Sequence, residues 1–329
     1  MPVSSSPLGI AALLAATSAW GGMFLVGQGV LRHVDPFWLT LIRYTLSALL
    51  FAALLLPRGA APWRKLRAHA GPLALRGVAG FGVFSVMLLV GLAHSVPSHG
   101  AILMATTPIT TQLLRWALDG ARPTRSTLLA SAMALAGVVI VSGVLEPAHG
   151  AQGGASTAFG DAIAFAGTLG WVWYTRGAAR FAGTLDVVEY SALTVLAAWP
   201  LLLLGALGAT AVGLAAPPAV PGLQLAWQGL LYIGVVSSAI AVLAYNYGVR
   251  SMGAVSATAF LNFVPVSALL LSLALGRLPS GHELAGMALV VGGLLLHTAG
   301  ARAGAAAAQV APVPALPHAR SGGPCGAAS

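Results

Sequence analysis

GDAIAFAGTLGWVWYTR, at Gly160–Arg176, follows a glycine-rich polar loop and is uncharged from Ala162 to Thr175. Part of it, Ala166–Trp171, fits the pattern A-x-T-x-x-W, which also occurs at Ala15–Trp20. Position 15 therefore recurs at position 166, which is 151 residues later. A recurrence near the middle of the chain predicts two copies of one structural unit.

The composition is that of a protein whose surface mostly faces lipid. The chain has 329 residues, of which 58% are hydrophobic and 7% are charged, whereas soluble domains carry about 25% charged residues. The net charge of +9 comes from Lys and Arg residues that cluster between apolar segments. We therefore interpret it as loop charge and do not expect a nucleic-acid partner. The single cysteine, Cys325, excludes an intrachain disulfide framework.

Ten apolar segments are each close to the roughly 20 residues that a helix needs to cross a bilayer. Their continuous apolar character excludes barrel strands, which alternate polar and apolar residues. The sequence therefore predicts an all-α membrane protein with ten transmembrane helices. These spans are Leu8–Val30, Pro36–Leu56, Pro72–Leu92, Gly100–Leu118, Thr127–Leu145, Phe159–Thr175, Val187–Leu207, Leu225–Tyr247, Ala254–Gly276 and Leu284–Gly300.

The distribution of positive charge predicts the orientation. If the N-terminus is cytoplasmic, thirteen of the 16 Lys and Arg residues lie on the inner side, two lie outside, and Arg43 lies within a span. Cytoplasmic loops carry such an excess, so both termini are predicted to be cytoplasmic in the inner (plasma) membrane. Because each half has five spans, the second half is inverted relative to the first, and the chain forms two five-helix inverted-topology repeats.

These spans divide the chain into four parts. Residues 8–145 form the first repeat, residues 146–158 an external linker, and residues 159–300 the second repeat. The remaining residues, 301–329, are rich in Ala, Pro and Gly and offer little to bury. We expect them to form a disordered cytoplasmic tail.

Several short motifs resemble the EamA family of the drug/metabolite transporter superfamily. They are AWGG at Ala19–Gly22, DPFWLTLIRYTLSALL at Asp35–Leu50, ATTPITTQLL at Ala105–Leu114 and NFVPVSALLL at Asn262–Leu271. The resemblance implies a secondary transporter that moves a small organic metabolite or drug-like solute by alternating access, with export favoured. The sequence departs from the family at Ala121 and Arg277, where the family often has Glu.

Arg43 is the most informative single residue because a charge within an apolar span is costly unless it is paired or solvated. One interpretation is a cavity charge that meets an anionic group of the solute. The other is an architectural Arg that reaches the membrane surface or binds carbonyls at helix ends. The sequence leaves both open.

Aromatic and polar residues complete the predicted solute-binding set. Trp20 and Trp171 are equivalent in the two repeats and either line a central cavity or pack between helices. The set further contains Tyr174, Tyr245 and Asn262. Two prolines within spans, Pro108 and Pro265, each remove a backbone hydrogen bond. They are predicted to kink their helices beside the pathway, with interhelical packing as the alternative.

Motifs for enzymatic chemistry are weak. The pair His282-Glu283 lacks the second His of a zinc-protease motif, and the sequence shows neither a G-x-S-x-G elbow nor a P-loop. We therefore expect no catalytic residues, no metal and no cofactor. A membrane-embedded enzyme acting on lipid-linked intermediates is the alternative. The expected partners are the solute and membrane lipid, and a homodimer is compatible with the sequence.

Overall fold

The computed structural model describes residues 6–94, 107–108, 110–112, 114–141, 154–274, 276 and 281–310. Within these ranges the regular secondary structure is entirely helical. Helix α1 spans Pro7–Leu31 and helix α2 spans Pro36–Leu55, extended by a 3-10 turn at Leu56–Arg58. Each begins with proline, whose missing N–H costs nothing in the first turn. The preceding side chains, Ser6 and Asp35, accept hydrogen bonds from the first-turn N–H groups of Gly9 and Phe37.

Helix α3 is continuous but irregular. It begins as Ala61–Gly77, widens into a π-helical segment at Val78–Val83 and ends as Phe84–His94. The backbone leaves helical geometry at His69, three residues before Pro72, because proline can neither donate to the preceding turn nor avoid clashing with it. The predicted span began only at Pro72, so the sequence missed the polar first part of this helix.

Residues 107–108, 110–112 and 114–119 are also helical. Helix α4 spans Arg125–Val141, α5 spans Gly154–Arg180 and α6 spans Val187–Ala211. A capping box starts α6: Asp186 accepts from the Glu189 N–H and Glu189 accepts from the Asp186 N–H. These helices run past the predicted spans at one or both ends.

Helix α7 repeats the irregularity of α3. It comprises Val220–Leu231, a π-helical segment at Tyr232–Ile240, and Ala241–Met252. The hydroxyl of Ser238 donates to the carbonyl of Ile233 at 2.7 Å, a bond over five residues that fits the wider π turn.

The last two helices complete the described fold. Helix α8 comprises Ala254–Ala259, a 3-10 turn at Phe260–Asn262, and Phe263–Ala274; helix α9 spans Gly281–Val310. Residues 301–310 are thus helical where the sequence predicted a disordered tail. Their alanine-rich composition explains the difference because alanine has the highest helix propensity. Residues 311–329, the rest of that prediction, lie outside the described residues.

Six of the described helices are long and apolar enough to cross a membrane, which agrees with an integral membrane protein. They are Pro7–Leu31, Pro36–Arg58, Ala61–Gly91, Val187–Ala211, Val220–Met252 and Ala254–Leu271. The fourth predicted span, Gly100–Leu118, lies partly outside the described residues. The predicted linker at residues 146–158 also lies partly outside them.

Helices from the two parts of the sequence interleave. Helix α1 packs against α7 and α8, α2 against α6, α3 against α5 and α6, and α4 against α9. Contacts join several turns at one end of the bundle: Arg58 binds Asp186, Arg250 binds the carbonyl of Ala182 and Arg176 binds Asp119. This end therefore carries the turns at residues 56–60, 120–124, 181–186 and 253. We call it the basic end, and the end with residues 32–35 and 212–219 the opposite end.

Candidate functional site

Four large aromatic side chains meet in the middle of the bundle, and we call Trp20, Trp171, Tyr174 and Tyr245 the aromatic cluster. The Trp20 and Trp171 rings contact edge to face with centroids 5.3 Å apart. Tyr245 lies 5.2 Å from Trp20 and 5.3 Å from Trp171, and Tyr174 lies 5.3 Å from Trp171. Each is at most 6% exposed. The sequence predicted all four as solute-binding residues, and the structure brings them together from α1, α5 and α7.

Two phenylalanines of α3 extend the aromatic cluster, and sequence reasoning missed both. The Phe84 ring lies 5.3 Å from Trp171, and Phe81 lies 4.6 Å from Tyr174. Phe81 belongs to the π-helical segment, where Gly80 leaves room for Tyr174: a Cβ on Gly80 would lie 2.5 Å from the Cβ of Tyr174. The close packing of α3 on α5 therefore depends on this glycine.

Two polar groups of the aromatic cluster, those of Trp20 and Tyr174, are hydrogen-bonded to a neighbouring helix, whereas the Trp171 indole N–H and the Tyr245 hydroxyl are buried without a hydrogen-bond partner among the described residues. The Trp20 indole N–H donates to the carbonyl of Ser237 at 2.8 Å. The Asn246 amide donates to the Tyr174 hydroxyl at 2.5 Å and to the Ser191 hydroxyl at 2.8 Å. Ser237 lies in the π-helical segment of α7, so this segment holds Trp20 in place.

Arg43 points into the bundle. It is 6% exposed, its Nε donates to the Ser238 hydroxyl at 2.6 Å, and its guanidinium carbon lies 4.9 Å from the centre of the Tyr44 ring. This arrangement does not match an Arg that reaches the membrane surface. A neutral hydroxyl and an aromatic ring hold the charge, and the side chain lines a cavity.

That cavity is small. Its volume is about 30 Å³, which is room for about two water molecules and too little for an organic solute. It lies on the side of the aromatic cluster facing the opposite end, and its walls include Trp20, Trp171, Arg43, Phe84 and Ser85.

A second cavity, which we call the basic pocket, opens at the basic end. Its volume is about 1160 Å³, comparable to the cavities that hold small organic ligands. Residues from α3, α5, α7, α8, α9 and the region around α4 form its walls. Four arginines line it, namely Arg76, Arg115, Arg176 and Arg180, with Asp119 as the one acid among the described lining residues. The sequence predicted these arginines as loop charges only.

Asp119 forms a bidentate ion pair at the wall of the basic pocket. The Arg176 guanidinium donates to its two carboxylate oxygens at 2.6 and 2.9 Å. This hydrogen bond holds the pKa of Asp119 below its ordinary value, although desolvation acts in the opposite direction. The carboxylate is therefore ionised at neutral pH.

The remaining predicted site residues lie outside the aromatic cluster. Asn262, in the 3-10 turn of α8, is 3% exposed and lines neither cavity. Pro265 follows that turn and is buried, and Pro108 is buried in the helical residues 107–108. Within the described ranges, no three His, Cys, Asp or Glu side chains lie close enough to share a metal ion.

The family assignment rests on a match over most of the chain. The EamA-like transporter family matches residues 7–143 and again residues 158–299. The chain belongs to the EamA-like transporter family. The two matched ranges begin at the same spacing as the two A-x-T-x-x-W motifs, which confirms the resemblance stated from the sequence. The protein is therefore a membrane transporter.

Named relatives are similar over nearly their whole length. The chain is 27% identical over 295 residues to the "Uncharacterized transporter YrdR" of Bacillus subtilis, covering 88% of this chain and 91% of the relative. It is 28% identical to the "Probable terminal-alkyne amino-acid exporter" of Streptantibioticus cattleyicolor, covering 87% and 91%. It is also 28% identical to the "Uncharacterized inner membrane transporter YedA" of Escherichia coli K12, covering 92% and 94%. These names do not support an enzyme acting on lipid-linked intermediates.

The fold is also similar to one that has been solved experimentally. A crystal structure matches with a TM-score of 0.72 at 24% identity, covering 91% of this chain and 99% of its own. At this identity the likeness concerns the fold alone.

Proposed function

We propose that the protein exports a small organic solute by alternating access, with the aromatic cluster as the seal that opens and closes. The main support for this proposal is the position of the aromatic cluster between two cavities of unequal volume. Along α5, Trp171 faces the small cavity while Arg176 and Arg180 face the basic pocket. Along α7, Val242 lines the small cavity and Met252 lines the basic pocket. A solute in the basic pocket would thus meet the buried rings before it reached the opposite end.

The same proposal includes ten spans in two inverted five-helix repeats. The double match to the family supports it. So do the two π-helical segments, Val78–Val83 and Tyr232–Ile240, which lie in the third predicted span of each half. The contact between Trp20 and Trp171 is what two inverted copies packed around a shared axis would give.

The proposed orientation places the basic end in the cytoplasm of a cell whose inner membrane holds the protein. The excess of Lys and Arg on this side supports it, as does the name of the inner-membrane relative. Both termini are then cytoplasmic. The solute enters from the cytoplasm through the basic pocket and leaves at the opposite end, and the name of the exporter relative supports this direction.

Solute contact is proposed for Trp20, Arg43, Trp171, Tyr174 and Tyr245. The rings offer apolar area, and Arg43 and the hydroxyl groups offer the few polar contacts that orient a ligand. In this proposal Asn262, Pro108 and Pro265 act by shaping α8 and the helix around residue 108. The solute gradient or exchange with protons drives the movement.

Metabolite export tests this proposal. Media from cells that overexpress the wild-type protein are compared with media from cells lacking it, and a solute that accumulates outside only with the protein is then tested in liposomes containing purified protein. We expect flux of that solute without chemical change. A product formed from it in the liposomes would instead make the protein an enzyme.

The variant Trp171→Phe tests the role of the aromatic cluster. It keeps a ring in the packed site but removes indole surface that lines the small cavity, so flux should fall while the melting temperature changes little. Trp199→Phe is the matched control, because Trp199 donates to Thr45 at 2.9 Å and lies outside both cavities. Unchanged flux in Trp171→Phe would remove the cluster from the pathway.

A further inference from the structure

The basic pocket holds more positive charge than its own acid neutralises. Four arginines line it. Both carboxylate oxygens of Asp119 already accept hydrogen bonds from the Arg176 guanidinium. Two other cations near the basic end are paired with acids: Arg58 binds Asp186 and Lys65 binds Glu189. Among the described lining residues, four arginines and one acid leave the wall of the basic pocket with a net positive charge.

Arg76 is the buried member of this set. It is 9% exposed, one of its terminal nitrogens donates to the carbonyl of Pro72 at 2.9 Å, and its Nε is buried without a hydrogen-bond partner. Its guanidinium carbon lies 5.7 Å from the centre of the Trp173 ring and 5.0 Å from that of Phe181. A buried charge held mainly by ring faces has no anion to compensate it, and burial of such a charge is costly.

Arg250 shows what a structural arginine looks like in the same region. Its guanidinium donates to the carbonyl of Ala178 in α5 and to those of Ala182 and Leu185 in the turn that follows. These bonds tie α7 to the chain that follows α5, and this side chain does not line the basic pocket. Among the described residues, Arg76 makes one hydrogen bond, to Pro72 of its own helix, and it lines the pocket, so holding helices together does not account for it.

The chain makes room for Arg76 at a specific point. A Cβ on Gly177 would lie 2.6 Å from the Nε of Arg76, so glycine at this position lets the guanidinium pass beneath α5. Two pocket arginines of α5, Arg176 and Arg180, lie on either side of Gly177 in the sequence. The arrangement therefore gathers charge from α3 and α5 at one wall.

The rest of the pocket suits an anion with an apolar body. Thr124, Ser126 and Thr127 line it and surround the N-terminus of α4, where helix N–H groups favour negative charge. Their hydroxyl groups lie 2.7 to 3.0 Å from one another around Thr124. Apolar lining comes from Leu118, Trp173, Met252 and Val255.

We propose that the basic pocket binds the carboxylate group of an organic acid, so that the exported solute is an organic carboxylate with an apolar body. Arg76 and Arg115 hold the carboxylate while the body lies against Trp173. The identification of the bound acid as the exported solute rests on the proposed export function. Binding of the acid in the pocket does not itself require transport.

Equilibrium binding to the full-length protein in uncharged detergent tests the proposal. The probes are 4-phenylbutyrate and its neutral amide, 4-phenylbutyramide, which have the same shape, and affinity is measured by titration calorimetry at 150 mM salt. The acid should bind at least 10-fold more tightly than the amide. Arg76→Gln and Arg115→Gln should each weaken binding of the acid by about 10- to 100-fold, the range expected for a charge-assisted hydrogen bond, and leave the amide unchanged.

Controls keep the test decisive. Arg122→Gln removes one positive charge from an exposed residue in the turn at residues 120–124 that does not line the pocket, and it should change the affinity less than twofold. Arg115 is exposed, so its variant should fold even if Arg76→Gln does not. Equal binding of acid and amide, or equal losses in Arg122→Gln and Arg115→Gln, would overturn the proposal.

A lipid headgroup is the competing anion. If 4-phenylbutyrate does not bind but phosphatidylglycerol does, in an Arg76-dependent manner, the pocket holds lipid and the proposal is wrong. Because no flux is measured, Arg76-dependent binding of the acid would support the site even if the export experiment failed. Export of a neutral solute together with no binding of the acid would overturn this inference and leave the proposed function intact.

Discussion

The aromatic cluster and the basic pocket use two faces of the same helix in different ways. On α5, Trp171 and Tyr174 lie one turn apart and are buried among rings. Trp173, Arg176 and Arg180 recur at spacings of three and four residues and line the basic pocket. Residues three or four apart share a helix face, so one helix presents an uncharged aromatic face and a charged face.

This difference has a physical reason. Rings in edge and tilted contact gain packing energy without fixed charges, so they can separate without leaving an ion unpaired in the membrane. Three of the four pocket arginines, Arg115, Arg176 and Arg180, are at least partly exposed to water, and an anion can be attracted there over a distance. The aromatic cluster therefore suits a moving part, and the basic pocket suits a fixed entrance.

The largest expected effect comes from disrupting the packing of α3 against α5. Gly80→Leu places a side chain where Tyr174 packs, and overpacking of this kind costs about 3 kcal/mol. We expect loss of the monodisperse peak in size-exclusion chromatography, or a large fall in the melting temperature, together with loss of flux.

Gly205→Leu is the control for this change. Gly205 is exposed on α6, and a Cβ there meets nothing within 4 Å, so the same substitution should leave both stability and flux close to wild type. If Gly80→Leu were as stable as Gly205→Leu, the close packing of Tyr174 on α3 would be contradicted.

The sequence predicted the four residues of the aromatic cluster better than the residues that pack around them. Trp20 and Trp171 could be found because the repeated A-x-T-x-x-W motif marks equivalent positions, and Arg43 because it interrupts an apolar span. Phe81 and Phe84 could not be distinguished from other apolar residues of α3. Their orientation depends on the π-helical segment, for which the glycines at residues 80 and 82 were the only signal.

The basic pocket could not be predicted for a different reason. Arg76, Arg115 and Arg176 are far apart in the sequence, and only the packing of their helices brings them to one cavity. Counting them as loop charges correctly assigned them to one end of the bundle. It did not show that Arg76 turns inward beneath Gly177, because no sequence pattern records that contact.

The next prediction determines which side of the membrane each region faces. After Cys325 is replaced by Ser, Leu214→Cys at the opposite end should react fully with a membrane-impermeant thiol reagent in intact cells. Leu214 is 71% exposed, so access is not limited by packing. Gly183→Cys at the basic end should react only after the cells are opened. The reverse pattern would contradict the cytoplasmic location of the basic pocket.

A smaller effect is expected from removing one hydrogen bond in the aromatic cluster. Tyr174→Phe keeps the ring but removes the hydroxyl that accepts from the Asn246 amide. The amide retains Ser191 as an acceptor, so the loss should be about 1 kcal/mol, measured as a lower melting temperature in detergent. Tyr247→Phe, on a partly exposed residue of the same helix as Asn246, should be neutral. Equal melting temperatures for the two variants would show that the Asn246 bond contributes nothing.

The smallest effect concerns the ion pair at the wall of the basic pocket. Because the pKa of Asp119 lies below its ordinary value of 3.8, the pair is intact at neutral pH and is lost only as the pH falls through that lowered value. Asp119→Asn removes the carboxylate at pH 7 and so imitates the acidic state. The pair is partly exposed, and such pairs contribute little to stability, so the melting temperature should hardly change.

Binding should respond where stability does not. In Asp119→Asn the Arg176 fork is released and the pocket loses its one described acid, so 4-phenylbutyrate should bind more tightly, by at most about fivefold, as expected for one unit charge at contact distance in water. Binding of 4-phenylbutyramide should stay the same. Weaker binding of the acid would mean that Asp119 holds Arg176 in the binding geometry. The ion pair would then be part of the site instead of a competitor for it.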